Sequence, residues 1–288
     1  MIFKDKISSK YKIKYAQKYA IIAGGLLLPQ MLCQRLLKEG KDFIVIPLIS
    51  HAQEKDFSKY KSFPHSLEKI GAIINLLKKE KITHVVMAGT INRPNLKELK
   101  PDVKGLILLL KILRLKNKGD DNLLKAIGFF LKKQGFTLIG VQDIMPEIIV
   151  RKKAGTEFIG KVKPAKKHLA KLPYFIELAK KIGSFDIGQA IVVSNERVLS
   201  VEGVEGTDEM IKRTSKLIKK KDYPILIKLA KPNQEERIDL PTIGLQTLEN
   251  CFQSGVKGIV IEAEKTILLE RQAFIDKANE LKIFVMVV

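Results

Sequence analysis

The stretch "KPNQEERIDLPTIG" (Lys231–Gly244) carries a cation at one end, Lys231, and a carboxylate near the other, Asp239, with acids, amides and an arginine between. Phosphoryl chemistry needs cations on phosphate oxygens and a carboxylate that holds Mg²⁺ or orients water, and one short loop offers both. Pro241 fits the first turn of a following helix, Pro241–Ser254, whose N–H groups would then face whatever lies beside Asp239. A solvated connector between two elements would have the same composition.

Four other stretches have residue types suited to a phosphate, a sugar or a divalent ion. In "IIAGGLLLPQ", Gly24 and Gly25 follow a strand and precede a helix, where backbone N–H groups can approach a phosphate. The motif lacks the third glycine of a dinucleotide fingerprint and the GK[ST] of a P-loop, so a tight turn accounts for it equally well. "AGTINRP" ends a later strand of the same sheet and would bring Asn92 and Arg93 to the same crevice; a solvated loop stopped by Pro94 is the alternative. "KGDDNLLKAI" puts Asp120 and Asp121 at a helix start, and "VEGVEGTDEM" puts Glu205 ahead of a helix and Asp208 in its first turn, with Thr207 as an N-cap. Acidic residues there suit a helix dipole as well as a metal. Glu202 and Glu205 precede their helix and need another reason. The histidines show no metal-ligand spacing, and no Cys or Ser nucleophile can be paired with them.

The elements that must position these residues alternate in a βαβ rhythm. Strands are expected at 19–23, 42–49, 83–89 and 136–144, with helices near 28–39, 66–79, 103–115 and 121–134, giving a parallel sheet covered by helices. Periodicity fails between Pro146 and Pro164. We therefore place a parallel-sheet α/β domain at 1–146, with a basic leader at 1–18, a linker at 147–164 and a second α/β domain at 165–288. A helix near 165–182, a hairpin turning at Ser194-Asn195-Glu196, a helix after Thr207, strands at 224–230, 258–270 and 284–288, and helices at 241–254 and 271–281 make the second sheet mixed.

The 288 residues are 45% hydrophobic, enough for substantial cores, and Lys and Arg outnumber Asp and Glu by 52 to 31, for a net charge of +21. That favours anionic partners, although helix-surface lysine pairs produce the same signal. Without interleaved aromatics on a basic strand, a zinc module or a helix-turn-helix, nucleic acid is set aside. Two distant cysteines point to a reducing, cytoplasmic setting. "GLILLLKIL" (Gly105–Leu113) is too short to span a bilayer, and reads as a buried helix or as a surface for a partner chain or an acyl group.

"IIAGG…LP", "AGTINRP", "KGDDNLL", "FDIGQAIVV", "VEGVEGTDEM" and "KPNQEERIDLPTIG" stand in the order and spacing of the UDP-2,3-diacylglucosamine pyrophosphatases of the LpxI type. The chain resembles that family from about Tyr19 to Val288. The resemblance implies a Mg²⁺-dependent hydrolase of lipid A biosynthesis that cleaves UDP-2,3-diacylglucosamine into UMP and 2,3-diacylglucosamine 1-phosphate (lipid X); the sequence leaves Mn²⁺ open as the ion instead. It also implies a Rossmann-like N-terminal domain and a C-terminal α/β domain with lipid between them. The family's essential aspartate falls on Asp239, as metal ligand or water-orienting group, and in such a reaction Lys231 or Arg93 would assist as the cation. Substrate contacts are expected at Gly24, Gly25, Asn92, Arg93, Gln189, Thr207 and Thr242, and metal contacts at Asp239, Asp208, Glu205, Asp120 and Asp121. Leu26 stands where the family usually has a third glycine. Such a substrate, anionic at one end and greasy at the other, suits a basic protein working at the cytoplasmic membrane surface. A homodimer is left open, and a non-catalytic uridine-nucleotide or nucleotide-sugar binding protein is the alternative.

Overall fold

The computed structural model describes residues 18–91, 100–113, 120–152, 157–232 and 234–288, without the side chains of 111–113 and 120–123. The leader up to residue 17, Asn92, Arg93 and the carboxylates of Asp120 and Asp121 lie outside the described residues. The chain forms two compact units, Met1–Pro146 and Glu147–Val288.

The first unit runs β1 (Tyr19–Ala23), α1 (Leu28–Lys38), β2 (Phe43–Pro47), α2 (Ile70–Lys79), β3 (His84–Ala88), α3 (Val103–Leu113), α4 (Asp120–Lys133), β4 (Thr137–Ile139) and α5 (Val141–Ile144). Its four strands are all parallel, in the order β2-β1-β3-β4. β1 and β2 are buried along their whole length, as a sheet covered on both faces requires. The expected strand at 136–144 is cut short. The Asp143 carboxylate accepts the Gly140 N–H at 2.8 Å and turns the chain into α5.

One carboxylate ties two helix starts together. Asp102 accepts the N–H of Ala72, in the first turn of α2, at 3.0 Å and that of Gly105, in the first turn of α3, at 2.8 Å. Side chains are excluded where the helices approach: a Cβ on Gly105 would strike the Glu68 carbonyl oxygen, and one on Gly71 would lie 2.8 Å from the Asp102 carboxylate. Burial alone would raise the Asp102 carboxyl, but the N–H groups of Gly105, Gly71 and Ala72 outweigh it and leave it below its ordinary value.

The second unit runs β5 (Phe158–Ile159), α6 (Leu172–Ser184), β6 (Ala190–Ser194), β7 (Arg197–Val201), α7 (Gly206–Thr214), β8 (Ile225–Lys228), β9 (Thr242–Ile243), α8 (Leu245–Gln253), β10 (Gly258–Ile261), β11 (Ile267–Leu268), α9 (Arg271–Glu280) and β12 (Phe284–Val287). Its mixed sheet has the order β5-β12-β10-β8-β6-β7, with β8, β10 and β12 parallel and the β6–β7 hairpin antiparallel to its neighbours. Asn195 takes the left-handed conformation at the hairpin turn, at φ 54°. Part of the expected linker belongs to this unit: Val150 is in its core, and β5 pairs with β12.

The sheet has an apolar layer on each face. Ile225, Ile227 and Leu229 pack with Phe175 and Ala179 of α6, while Leu226 packs with Met210 of α7, Leu248 of α8 and Phe274 of α9. Burying each such side chain is worth roughly 1.5–3 kcal/mol. Strand alternation puts Lys228 on the Leu226 side.

The expected helix at Pro241 begins later. Thr242 and Ile243 form β9, parallel to β11, and α8 starts after Gly244. Pro241 thus leads into a strand, where its missing N–H costs nothing and its carbonyl accepts the Ile267 N–H at 2.8 Å.

Candidate functional site

The first unit's strand order reverses between β1 and β3, where doubly wound sheets bind ligands. Here the main chain fills that point. Gly24 N–H donates to the Ala88 carbonyl at 2.8 Å, Gly25 N–H to that of Thr90 at 2.8 Å, and Thr90 N–H returns to Gly25 at 3.1 Å. The Gly24 and Gly25 N–H groups, expected to reach a phosphate or to belong to a tight turn, are therefore already bonded within the main chain. The glycines are explained by the close approach, since a Cβ on Gly24 would collide with the Thr90 carbonyl oxygen. Leu26, 70% exposed, stands at φ 71°, a conformation glycine adopts at least cost.

In the second unit, residues from distant parts of the sequence meet at the edge where β8 ends and β6 begins. Ala190 is opposite Lys228, so Gln189 and the segment after β8 emerge together. The Leu229 N–H donates to the Gln189 carbonyl at 3.0 Å. Gln234 is at the centre of the loop that follows. Its Oε1 accepts the Lys231 N–H at 3.0 Å, and its Nε2 donates to Asp239 Oδ2 at 2.6 Å and to Gln189 Oε1 at 3.4 Å. Asp239 is half-buried, and among the described residues no group bonds its Oδ1. Lys231 Nζ donates to Asp186 Oδ1 at 2.6 Å, so its charge is held in an ion pair. Asp186 Oδ2 is buried without a hydrogen-bond partner among the described residues, and its backbone is left-handed at φ 57°.

Glu202 now has its reason. Its buried carboxylate accepts the Gln189 N–H at 2.8 Å and the Thr207 hydroxyl at 2.7 Å, fastening the start of β6 to that of α7. Gly188 is forced by the same approach, because a Cβ there would strike the Glu202 carbonyl oxygen. Thr207 lies inside α7 and bonds Glu202, so it is not the N-cap. Thr242 Oγ1 donates to the Leu240 carbonyl at 3.1 Å, and its own carbonyl accepts Lys228 Nζ at 3.0 Å.

This edge therefore brings together Gln189, Thr207, Lys231, Asp239 and Thr242. Glu205 is turned to Arg213, whose guanidinium bonds its Oε1 at 2.7 and 3.0 Å and holds the carboxyl below its usual range. Asp208 is exposed in the first turn of α7. No group of three or more His, Cys, Asp or Glu side chains capable of holding a metal occurs among the described residues. Mg²⁺ does not require one, since it is commonly held by one or two carboxylates together with waters and substrate phosphates. Asp239, with an open oxygen, and Asp186, with an orphaned buried one, fit that donor set. Asp186, Gln234 and Lys228 were missed from sequence. The only signal for Lys228 was a charge ending the apolar run "PILIK".

The LpxI N-terminal domain model matches residues 18–148 and the LpxI C-terminal domain model residues 155–286. The chain belongs to the LpxI family. A UDP-2,3-diacylglucosamine pyrophosphatase LpxI from Caulobacter vibrioides is 35% identical over 276 residues, covering 94% of this chain and 97% of the relative. Among solved structures, CobK precorrin-6A reductase aligns over 94% of this chain and 87% of its own at 10% identity, with a TM-score of 0.33. The Bordetella bronchiseptica enzyme WbmG in complex with NAD aligns over 43% and 36% at 16% identity, with a TM-score of 0.29. Both buried cysteines are free, and burial pushes the Cys33 thiol up to about 12 and that of Cys251 higher still. No described helix is long and apolar enough to cross a membrane.

Proposed function

We propose that this member of the LpxI family hydrolyses the pyrophosphate bond of UDP-2,3-diacylglucosamine, releasing UMP and 2,3-diacylglucosamine 1-phosphate. The observation that carries the reading is the Asp239 carboxylate, fixed through one oxygen by Gln234 while its other oxygen is bonded by no described residue, in the loop that follows β8. In the reaction, water attacks one phosphorus of the diphosphate and the bond to the bridging oxygen breaks; the family resemblance favours the phosphorus on the glucosamine side. Asp239 Oδ1 orients that water or holds a Mg²⁺ ion. Bound Mg²⁺ supplies neutralising charge to the phosphate oxygens. Lys231 acts with Asp186 as a pair, and Gln234 and Gln189 keep the loop in register. Product analysis with Mg²⁺, with chelator and with Mn²⁺ tests the reading: UMP should appear with either ion and stop with chelator.

The substrate is a lipid, and the reading includes peripheral binding of the chain to an anionic membrane surface. Val103, Leu106, Ile107 and Leu110 follow helical spacing along α3 and are exposed, and Lys100 beside them is exposed too. An apolar helix face with cations near it, on a chain of net charge +21, suits an acidic lipid surface.

A further inference from the structure

Lys228 is the last residue of β8 and only 7% exposed, on the sheet face covered by α7, α8 and α9. Its ammonium makes one hydrogen bond, to the Thr242 carbonyl at 3.0 Å, and no described carboxylate lies within ion-pairing distance. A buried cation with a neutral acceptor and no counter-charge is a costly arrangement. An apolar residue of similar length would pack the same place without that cost. The arrangement makes sense if the counter-charge comes from outside the chain. Thr242 is half-buried and three residues beyond Asp239, so the bond lies on the same segment as the candidate catalytic carboxylate. Two of the three ammonium protons have no partner among the described residues.

We propose that Lys228 is a further substrate-contacting residue, its ammonium taking a phosphate oxygen of a nucleoside diphosphate group. The inference rests on the reading given under Proposed function. It assigns Lys228 the cationic role expected of Lys231, which Asp186 already pairs. A cation there stabilises the charge on the diphosphate and on the phosphate left when the bridge breaks.

The test compares wild type, Lys228→Met and Lys228→Gln in the full chain, by thermal melting and by calorimetric titration with UDP. Lys228→Gln keeps a donor for the Thr242 carbonyl and removes the charge. The expected result is wild-type-like melting with UDP affinity reduced about tenfold or more in both variants, the scale of a charge-assisted hydrogen bond. Unchanged affinity in either folded variant, recovery of affinity by Gln alone, or a wild type that does not bind UDP would overturn the proposal. If Lys228→Met fails to fold, Lys228→Gln decides by the same comparison with wild type, and if neither folds Lys228 is structural and the proposal is overturned. Turnover of the diacylated substrate by wild type is measured separately, so failure of the hydrolase reading is distinguishable from failure of Lys228.

Discussion

Gln234 Nε2 donates to Asp239 Oδ2 at 2.6 Å, and the same side chain accepts the Lys231 N–H at 3.0 Å. One amide thus fixes both ends of the loop, and no described residue bonds the second Asp239 oxygen. Gln234→Leu should lower kcat by about tenfold with KM changed less, because a misplaced carboxylate is lost mainly in the transition state. Steady-state kinetics with the diacylated substrate check this; an unchanged kcat would show that Asp239 does not need the amide.

Leu26 holds a left-handed backbone with its side chain largely in solvent, so little packing is lost if it is removed. Leu26→Gly should stabilise the first unit by about 0.5–1 kcal/mol, the relief of a left-handed leucine less the greater flexibility of glycine unfolded. Chemical denaturation reads the change, and a destabilised variant would refute the strain argument.

Asp102 accepts N–H groups at the starts of both α2 and α3, and its carboxyl is held below its ordinary value. Because the folded pKa lies under the unfolded one, the stabilisation is present above about pH 4 and lost as pH falls through the lower folded value. Asp102→Ala should cost about 1–3 kcal/mol at neutral pH, with the difference from wild type shrinking in acid. A pH-independent difference between the two melts would contradict the assignment.

The exposed face of α3 should matter for lipid and not for stability. Leu106→Glu with Leu110→Glu should reduce sedimentation with vesicles containing acidic phospholipid several-fold and leave melting unchanged. Equal binding of wild type and variant would remove α3 from the contact.

Much of the first sheet was legible because buried parallel strands read as continuous apolar runs such as "YAIIA" and "VVMA". Local capture hid other features. Asp143 took the Gly140 N–H and ended an apparently long strand, and pairing with Ile267–Leu268 drew Thr242–Ile243 out of an apparent helix start. The site followed the same division. Asp239 stood out by motif, whereas the roles of Asp186, Gln234 and Glu202 depend on contacts across tens of residues or on one rotamer. Gly24 and Gly25 were visible as special positions, but only the Thr90 carbonyl shows that close main-chain packing explains them.

The most direct test of the central claim is UMP release from UDP-2,3-diacylglucosamine by the purified chain with Mg²⁺, run beside Asp239→Ala. The account predicts stoichiometric UMP and 2,3-diacylglucosamine 1-phosphate from wild type. It predicts turnover reduced by about 10²–10⁴ in the variant, with substrate binding largely retained. No UMP from a folded, substrate-binding wild type, or near-normal turnover by Asp239→Ala, would contradict it.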